Sequence, residues 1–194
     1  MDSDGSFLVA RVTVDALFDD DLEWVASTGD PYRRVDPVDV DEGELAALFN
    51  LYTQTYTRID ARLNIKDRDG MFEFDRWILV VDADDRLLGF VLFKTTAFGL
   101  KLVVTGSDGS DKGKNAIRGF LEKVFFIGGV YAEVSDAIER IVTRKNAPRI
   151  PANEAEEMLP DKELTIDEDG YHYKRNIKNI GVRKKIMVGK PIRD

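Results

Sequence analysis

A polar, glycine-rich segment, Gly106–Gly113, has the composition of a phosphate-binding loop. It connects a predicted strand, Gly99–Thr105, to a predicted helix, Asn115–Phe126. Glycines let a ligand approach the backbone closely, and the free N–H groups at a helix start point towards anions. Lys112 and Lys114 lie at this start, where cations oppose the helix dipole unless an anion is bound. The segment therefore predicts phosphate binding, with an ordinary connection bearing solvated lysines as the alternative.

The same segment matches the Walker A pattern of P-loop nucleotidases, G-x-x-x-x-G-K-[ST], only in part. The stretch Asp108–Asn115 has Asp for the first glycine and Asn for the hydroxyl that binds magnesium. Only Gly113 and Lys114 match. Because the departures fall on functional positions, a P-loop nucleotidase is the weaker interpretation.

A predicted strand, Gly129–Ser135, carries the side chains best suited to proton transfer. Strand alternation places Tyr131, Glu133 and Ser135 on one face. A carboxylate such as Glu133 can accept a proton directly or through water. The alternative is that Glu133 is an ordinary strand residue exposed to solvent rather than a base.

A second predicted strand, Tyr171–Ile177, offers an acid. Tyr171 and Tyr173 share one face and His172 points to the other. Either tyrosine could protonate a leaving group, and the alternative is aromatic packing on a sheet. His172, beside basic residues, is expected to be a surface residue rather than a base.

The composition excludes several kinds of chemistry. The chain has 194 residues, no cysteine and one histidine, which excludes disulfides, thiolate or multi-histidine metal sites and a cysteine nucleophile. Its length predicts one domain, 1–194. No apolar run approaches the ~20 residues of a membrane span, and the N-terminus does not resemble a secretory signal. We expect a cytoplasmic protein with no membrane partner.

Charge is distributed unevenly along the chain. The sequence has 28 basic and 36 acidic residues, a net charge of −8. Residues 171–194 contain eight basic residues and one acidic residue, so this basic C-terminal segment carries +7 and the rest −15. An acidic body disfavours extensive nucleic-acid binding, whereas the basic segment could contact phosphates. The alternative is a strand edge that lysines protect from aggregation.

Periodicity predicts the elements that position these residues. They do not alternate as regular βαβ units, so we expect a mixed α/β fold rather than a doubly wound one. The further predicted elements are a first strand at Phe7–Val14, a short helix near Asp21–Ala26, a helix from Glu44 to about Asn64 capped by Asp41, a hairpin of Arg76–Val81 and Leu87–Phe93 about the turn Asp82–Asp85, a helix at Asp136–Arg144, and a terminal strand at Lys185–Val188 paired with Tyr171–Ile177.

From Arg76 onward, the order of elements resembles that of GNAT-type N-acyltransferases. The hairpin Trp77–Leu92, with Leu-Gly-Phe entering its return strand, is similar to the second and third strands of that family. Leu102–Thr105 would be the fourth strand and Tyr131–Ser135 the fifth. The resemblance implies a central, mostly antiparallel twisted sheet flanked by helices. Its fourth and fifth strands would splay apart to admit the pantetheine arm of coenzyme A, and residues 1–42 would be a variable N-terminal part.

The sequence departs from the family at functional positions. The family loop reads [RQ]-x-x-G-x-[GA], and in Ser110–Asn115 only Gly113 matches. The fourth strand lacks the glutamate base of many members, and the helix Asp136–Arg144 lacks their tyrosine acid. Glu133 and Tyr173 are the predicted replacements.

The resemblance implies acetyl-CoA as the cofactor. Its pyrophosphate would contact backbone N–H groups of Gly109–Asn115, with the 3′-phosphate near Lys112 or Lys114 and the thioester near Thr105 and Ser135. The predicted cofactor-binding residues are Val104, Thr105, Gly109, Lys112, Gly113, Lys114 and Asn115, and the predicted catalytic residues are Glu133, Ser135 and Tyr173.

The predicted function is an acetyl-CoA-dependent N-acyltransferase, in which a small-molecule or protein amine attacks the acyl group directly. One alternative is a non-catalytic GNAT-like structural or interaction protein, for example a virion component. The other is an acyl-CoA-dependent modifier of DNA bases, because the basic C-terminal segment could contact nucleic acid.

That segment is also similar to the closing strands of bacteriophage GNAT-like proteins, which would place the protein in the host cytoplasm or a virion. A Gly113→Asp variant is expected to lose CoA binding without unfolding.

Overall fold

A computed structural model describes residues 32–35, 37–58, 65–159, 163–177 and 181–193. The strands within them are β1 (Tyr32–Val35), β2 (Arg76–Val81), β3 (Leu87–Thr96), β4 (Gly99–Ser107), β5 (Val130–Val134), β6 (Arg149–Ile150), β7 (Thr165–Ile166), β8 (Tyr173–Ile177) and β9 (Gly181–Gly189). The α-helices are α1 (Glu42–Arg58), α2 (Asp111–Val124), α3 (Asp136–Thr143) and α4 (Ala152–Met158), and two 3-10 turns lie at Pro37–Asp39 and Asp69–Glu73.

Contacts divide the chain into two compact units. The first unit comprises the described residues up to Thr95 together with Leu102–Phe120. The second unit comprises Thr96–Lys101 and the described residues from Leu121 onward. The strand β4 and the helix α2 each contribute to both units.

In the first unit the strand order is β1-β2-β3-β4, and β2 is antiparallel to both β1 and β3. Residues Trp77 to Val81 of β2 are all buried, as expected for a continuous apolar strand covered on both faces. Trp77 belongs to a core cluster with Leu48 and Tyr52 of α1 and Phe90 of β3. Its indole N–H donates a 2.8 Å hydrogen bond to the Phe74 carbonyl, so this large buried residue leaves no donor unsatisfied.

The β2–β3 hairpin confirms the prediction, and β2 has the predicted bounds. A carboxylate closes its turn, because Asp82 Oδ1 accepts hydrogen bonds from the N–H groups of Asp84 and Arg86, both at 2.9 Å. Aspartate favours turns through such bonds to its own backbone. Asp85 adopts a left-handed φ of 60° within this turn.

The helix α1 confirms the predicted helix and its cap. Asp41 Oδ1 accepts a 2.7 Å hydrogen bond from the N–H of Glu44, the arrangement that makes aspartate a favoured N-cap. Leu45, Leu48 and Tyr52 form its buried face at the predicted three- and four-residue spacing.

In the second unit the strand order is β4-β5-β9-β8-β7, and β6 also pairs with β9. The pairing of β4 with β5 is parallel and joins Leu100 with Val130 and Lys101 with Tyr131. The pairings of β9 with β5, β6 and β8 are antiparallel. A core cluster joins the sheet residues Tyr131, Tyr173 and Met187 with α4. The mostly antiparallel pairing with interspersed helices confirms the predicted mixed α/β class.

Several elements differ from the sequence predictions. The helix α2 begins at Asp111 rather than Asn115, because Ser110 caps it, as described below. The strands β1, β6 and β7 and the helix α4 were not expected. The short α4 buries only small or flexible residues, Ala152, Ala155 and Met158, a pattern too weak to signal a helix. The predicted strand Phe7–Val14 and helix Asp21–Ala26 lie outside the described residues, as does the end of the first predicted helix beyond Arg58.

Within the part of the chain that the structure describes, no helix is both long and apolar enough to cross a membrane.

Candidate active site

A three-residue loop, Asp108 to Ser110, joins β4 to α2 in the first unit. Ser110 Oγ accepts a 3.0 Å hydrogen bond from the N–H of Gly113 and so caps the helix. Asp108 Oδ1 in turn accepts hydrogen bonds from the N–H and the hydroxyl of Ser110. Gly109 has a φ of 85°, which a residue with a side chain rarely adopts. The Asp-Gly-Ser sequence therefore fixes both the turn and the start of the helix.

Asp108 ties this loop to the β2–β3 hairpin. Its N–H donates a 2.8 Å hydrogen bond to the Leu88 carbonyl. Its Oδ2 lies 3.4 Å from Nη2 of Arg86, and its side chain is only 9% exposed. A nearly buried carboxylate therefore lies directly before Gly109–Asn115, the residues predicted to bind the pyrophosphate, and Arg86 offsets its charge.

The predicted cofactor-binding residues fall into two sets. Val104 and Gly113 are buried, and the Thr105 hydroxyl donates to the Phe90 carbonyl at 3.2 Å. Lys112, Lys114 and Asn115, within the first five residues of α2, are exposed, and Gly109 is half-buried. The prediction that the glycine loop extends to Gly113 is wrong, because helix capping at Ser110 draws residues 111–113 into the helix.

Gly113 has a packing role that the sequence did not reveal. A Cβ atom at this position would lie 2.6 Å from the backbone carbonyl oxygen of Leu88. Real Cβ atoms do not approach backbone oxygens so closely. A Gly113→Asp variant is therefore expected to disturb the packing of α2 on β3, and it cannot serve as a clean test of cofactor binding.

In the second unit, Glu133 and Tyr173, which the sequence analysis proposed as base and acid, lie within hydrogen-bond distance of each other. The Tyr173 hydroxyl donates a 2.7 Å hydrogen bond to Oε2 of Glu133. Arg175 completes the cluster: its Nη2 donates to Oε1 at 2.9 Å, and its Nε lies 2.9 Å from Oε2. Both oxygens of Glu133 are thus engaged by donors.

These contacts restrict the proton chemistry of the pair. Tyr173 is fully buried, and the Glu133 side chain is 7% exposed. Burial, together with the charge and hydrogen bond of Glu133, raises the pKa of Tyr173 well above its usual value. The cluster resembles a buried ion pair that supports the sheet more than an acid and a base facing a substrate.

Ser135 is the residue preceding α3 and has extended backbone, with φ −85° and ψ 169°. Its carbonyl accepts the first hydrogen bond of the helix, from the N–H of Glu139 at 2.9 Å, while its side chain makes no capping bond. Tyr131, on the same face of β5, shares a 2.7 Å hydrogen bond with the Thr96 hydroxyl. Neither Ser135 nor Tyr131 shares a hydrogen bond with Glu133 among the described residues.

His172 is not the surface residue that the sequence predicted. Its side chain is 15% exposed and lies between two carboxylates. Nε2 lies 2.8 Å and 2.9 Å from the two oxygens of Glu139, and Nδ1 contacts Asp169. Burial lowers the pKa of His172, but the hydrogen bonds and charges of the two carboxylates outweigh it and raise the pKa above its usual value. The imidazole links α3 to the turn before β8.

Ion pairs with acidic residues neutralise part of the basic C-terminal segment. Besides Arg175, Lys184 pairs with Asp167 at 3.4 Å, and Arg193 pairs with Glu154. Among the described residues of this segment, Arg175, Lys184 and Arg193 therefore have acidic partners. The segment presents fewer available charges to phosphates than its composition indicated.

Sequence reasoning missed two residues in these sites, Asp108 and Arg175. The Asp-x-Ser spacing before a helix could have revealed the capping role of Asp108 and Ser110. The two-residue spacing of Tyr173 and Arg175 places both on one strand face. Their partner Glu133 lies 40 residues before Tyr173 and 42 before Arg175, and no local pattern connects them.

No protein-family model matches the sequence, and no curated protein is similar to it. Solved structures are similar over most of the chain. ElaA of Escherichia coli has a TM-score of 0.50 at 12% identity and covers 83% of this chain and 99% of its own. A Pseudomonas aeruginosa acyl-CoA N-acyltransferase has a TM-score of 0.47 at 13% identity, covering 81% of this chain and 97% of its own. A GNAT-family acetyltransferase of Staphylococcus aureus has a TM-score of 0.46 at 10% identity, covering 84% and 99%.

At these identities the likeness concerns the fold alone. It lends no support to the phage origin that the C-terminal segment suggested. The predicted resemblance in architecture is confirmed: the chain has a mixed α/β, GNAT-like fold.

Proposed function

We propose that this protein is an acetyl-CoA-dependent N-acyltransferase that acts on an amine. The observation that carries the proposal is the β4–α2 connection within a GNAT-like fold. A glycine with positive φ is followed by a helix whose first turn presents Lys112 and Lys114 to solvent. A helix start flanked by lysines can hold a phosphate-bearing cofactor.

This loop would bind an anionic cofactor through its side chains more than through its backbone N–H groups. The N–H groups of Ser110 and Gly113 are already bonded to Asp108 and Ser110. The Asp108 carboxylate opposes an anion, although Arg86 offsets it. Lys112 and Lys114 would therefore supply most of the attraction to the cofactor phosphates.

When bound, acetyl-CoA supplies the acyl thioester. The contacts of Glu133 and Tyr173 favour a structural role for this pair, because each polar atom is already engaged and Tyr173 is buried. We therefore propose that the protein accelerates transfer by positioning the acceptor amine rather than through a dedicated general base. Loss of a general base lowers rates by about 10²–10⁴-fold. A Glu133→Gln variant that remains folded should instead keep its kcat within about tenfold of the wild-type value.

The cofactor assignment is tested by comparing CoA with 3′-dephospho-CoA in calorimetric titrations. Lys112→Ala and Lys114→Ala variants should bind CoA more weakly, and at least one should lose the preference for the 3′-phosphate. Lys123→Ala is the matched control, because Lys123 is an exposed lysine in the last turn of the same helix. Equal affinities in all three variants would remove the loop from the cofactor site.

A second candidate function, a non-catalytic GNAT-like interaction protein, has specific support. The predicted acid and base bond to each other and to Arg175, and Asp108 lies in the loop expected to bind phosphate. Failure to bind any form of CoA would favour this function. The third possibility, a DNA-base modifier, is weakened because Arg175, Lys184 and Arg193 pair with acidic residues.

A further inference from the structure

One face of the β8–β9 pair gathers positive charge in the second unit. The register places Arg183 opposite Arg175 and Lys185 opposite Tyr173. Because residues two apart on a strand, and directly opposed residues on neighbouring strands, share a face, these four side chains lie on one side of the sheet. Glu133 lies on the same side, since its cross-strand partner Met187 is two residues from Lys185.

Among the described residues, the cations Arg175, Arg183 and Lys185 outnumber the carboxylates that act on Lys185, which are Glu133 and Asp136. Glu133 is engaged by Arg175 and Tyr173. Arg183 donates from Nη1 to the carbonyl of its neighbour Val182 at 2.9 Å. Within the described residues, neither Arg183 nor Lys185 forms an ion pair with a carboxylate. Two cations thus remain beside one ion pair that is already complete.

Lys185 is the more constrained of the two. Its side chain is half-buried. Burial lowers the pKa of its ammonium group; Arg175 and Arg183 lower it further, while Glu133 and Asp136 oppose the shift without reversing it. A partly desolvated cation next to other cations is stabilised by an anion brought against it.

We propose that Lys185 and Arg183 bind an anionic group, a carboxylate or a phosphate, of a ligand. The proposed site lies within the second unit and is independent of the cofactor assignment. Lys185 supplies a compact ammonium donor, and Arg183 supplies a guanidinium that can engage two oxygens at once. The bound anion supplies a counter-charge to these two cations.

The experiment is an NMR titration with inorganic phosphate and, separately, with glutarate, at constant ionic strength maintained with sodium chloride. Saturable shifts of the β8 and β9 amides are expected. Lys185→Gln and Arg183→Gln should each weaken binding about tenfold or more, as expected for loss of one charge-assisted hydrogen bond. Lys184→Gln is the matched control, because Lys184 points to the other face and pairs with Asp167 at 3.4 Å, and it should leave the affinity unchanged.

The pH dependence provides a second readout. The affinity for phosphate and for glutarate should fall as the pH rises through the lowered pKa of Lys185. Binding by Arg183 alone would persist over this range. Shifts that do not saturate, or equal losses in all three variants, would overturn the proposal. Tight binding of duplex DNA with no response to either small anion would also overturn it and indicate a nucleic-acid surface. Because these titrations contain no coenzyme A, their failure is distinct from a failure of the proposed function.

Discussion

At the scale of single residues, the ion pair of Glu133 and Arg175 is the feature whose removal should affect stability most. The Arg175 side chain is 14% exposed and that of Glu133 is 7% exposed. Removing one member of a buried pair leaves the other charge desolvated and alone, which costs about 3 kcal/mol or more. Arg175→Ala should lower the free energy of unfolding by about this amount in chemical denaturation.

The matched variant for this pair is Glu133→Gln combined with Arg175→Ala. The double variant contains no unpaired carboxylate, so it should be more stable than Arg175→Ala alone. If Arg175→Ala unfolds at the wild-type denaturant concentration, the cluster has no structural role and the catalytic interpretation of Glu133 regains support.

His172 gives the protein a predictable dependence on pH. Its pKa is raised above the ordinary value of 6.5, so the protonated form stabilises the folded state. This contribution is complete below the unfolded pKa and is lost as the pH rises through the folded pKa. Because His172 is the chain's one histidine, its imidazole proton resonances can be followed by NMR without ambiguity.

Two variants test this assignment of the His172 partners. Glu139→Gln should lower the midpoint of the imidazole titration, since it removes the charge facing Nε2. The wild-type protein is expected to lose stability as the pH rises through the pKa of His172 in the folded state, and His172→Gln should abolish this loss. A wild-type midpoint at or below 6.5 would contradict the arrangement.

Glu133 and Tyr173 were proposed as base and acid in place of the residues that the GNAT resemblance implied, and the structure brings the two into contact. The sequence could not show that Arg175 would engage both carboxylate oxygens, because that contact depends on the pairing of β8 and β5 with β9. The position of His172 was missed for the same reason, since Glu139 lies 33 residues away in another element.

At the scale of secondary-structure elements, the start of α2 depends on Gly113. Glycine to alanine substitutions inside helices usually stabilise them by about 0.5–1 kcal/mol. Here the added Cβ would lie 2.6 Å from the Leu88 carbonyl oxygen, so Gly113→Ala should instead destabilise the protein by about 1–3 kcal/mol. Thermal unfolding measures the change, and Lys114→Ala, at the next and exposed position, should have little effect.

An increase in stability on Gly113→Ala would show that α2 is not packed against β3 as described. The loop would then be open enough to receive a cofactor phosphate on its backbone.

The cap of α1 offers an independent check at the same scale. Asp41→Ala removes the 2.7 Å hydrogen bond to the N–H of Glu44 and should cost about 1 kcal/mol. Asp39→Ala changes an exposed aspartate outside the helix and should cost much less. Equal losses in the two variants would show that α1 does not depend on this cap.

Element prediction succeeded where side-chain periodicity was strong and failed where capping or tertiary pairing decided. The apolar strand β2 and the turn at Asp82 were predicted because their signals are local. The four residues by which α2 exceeds its predicted start reflect the bond between Ser110 and Gly113. The two-residue strands β6 and β7 exist only through their pairing with β9 and β8, which no local pattern specifies.

At the scale of the whole molecule, the order of elements was the most informative property of the sequence. A hairpin, a further strand, a glycine-rich connection, a helix and another strand occur in the order that the GNAT resemblance implied. The similarity of the ElaA structure, which covers 83% of this chain, agrees with that order. Function does not follow from the fold alone, because the loop and the strand residues depart from the family pattern.

The acyltransferase proposal is tested most directly by a calorimetric titration of the purified protein with acetyl-CoA and with CoA, accompanied by a thermal-shift measurement. Saturable binding in the micromolar range and a higher unfolding temperature with cofactor present are expected. The absence of binding at millimolar cofactor would contradict the acyltransferase proposal and leave a GNAT-like fold used for interaction.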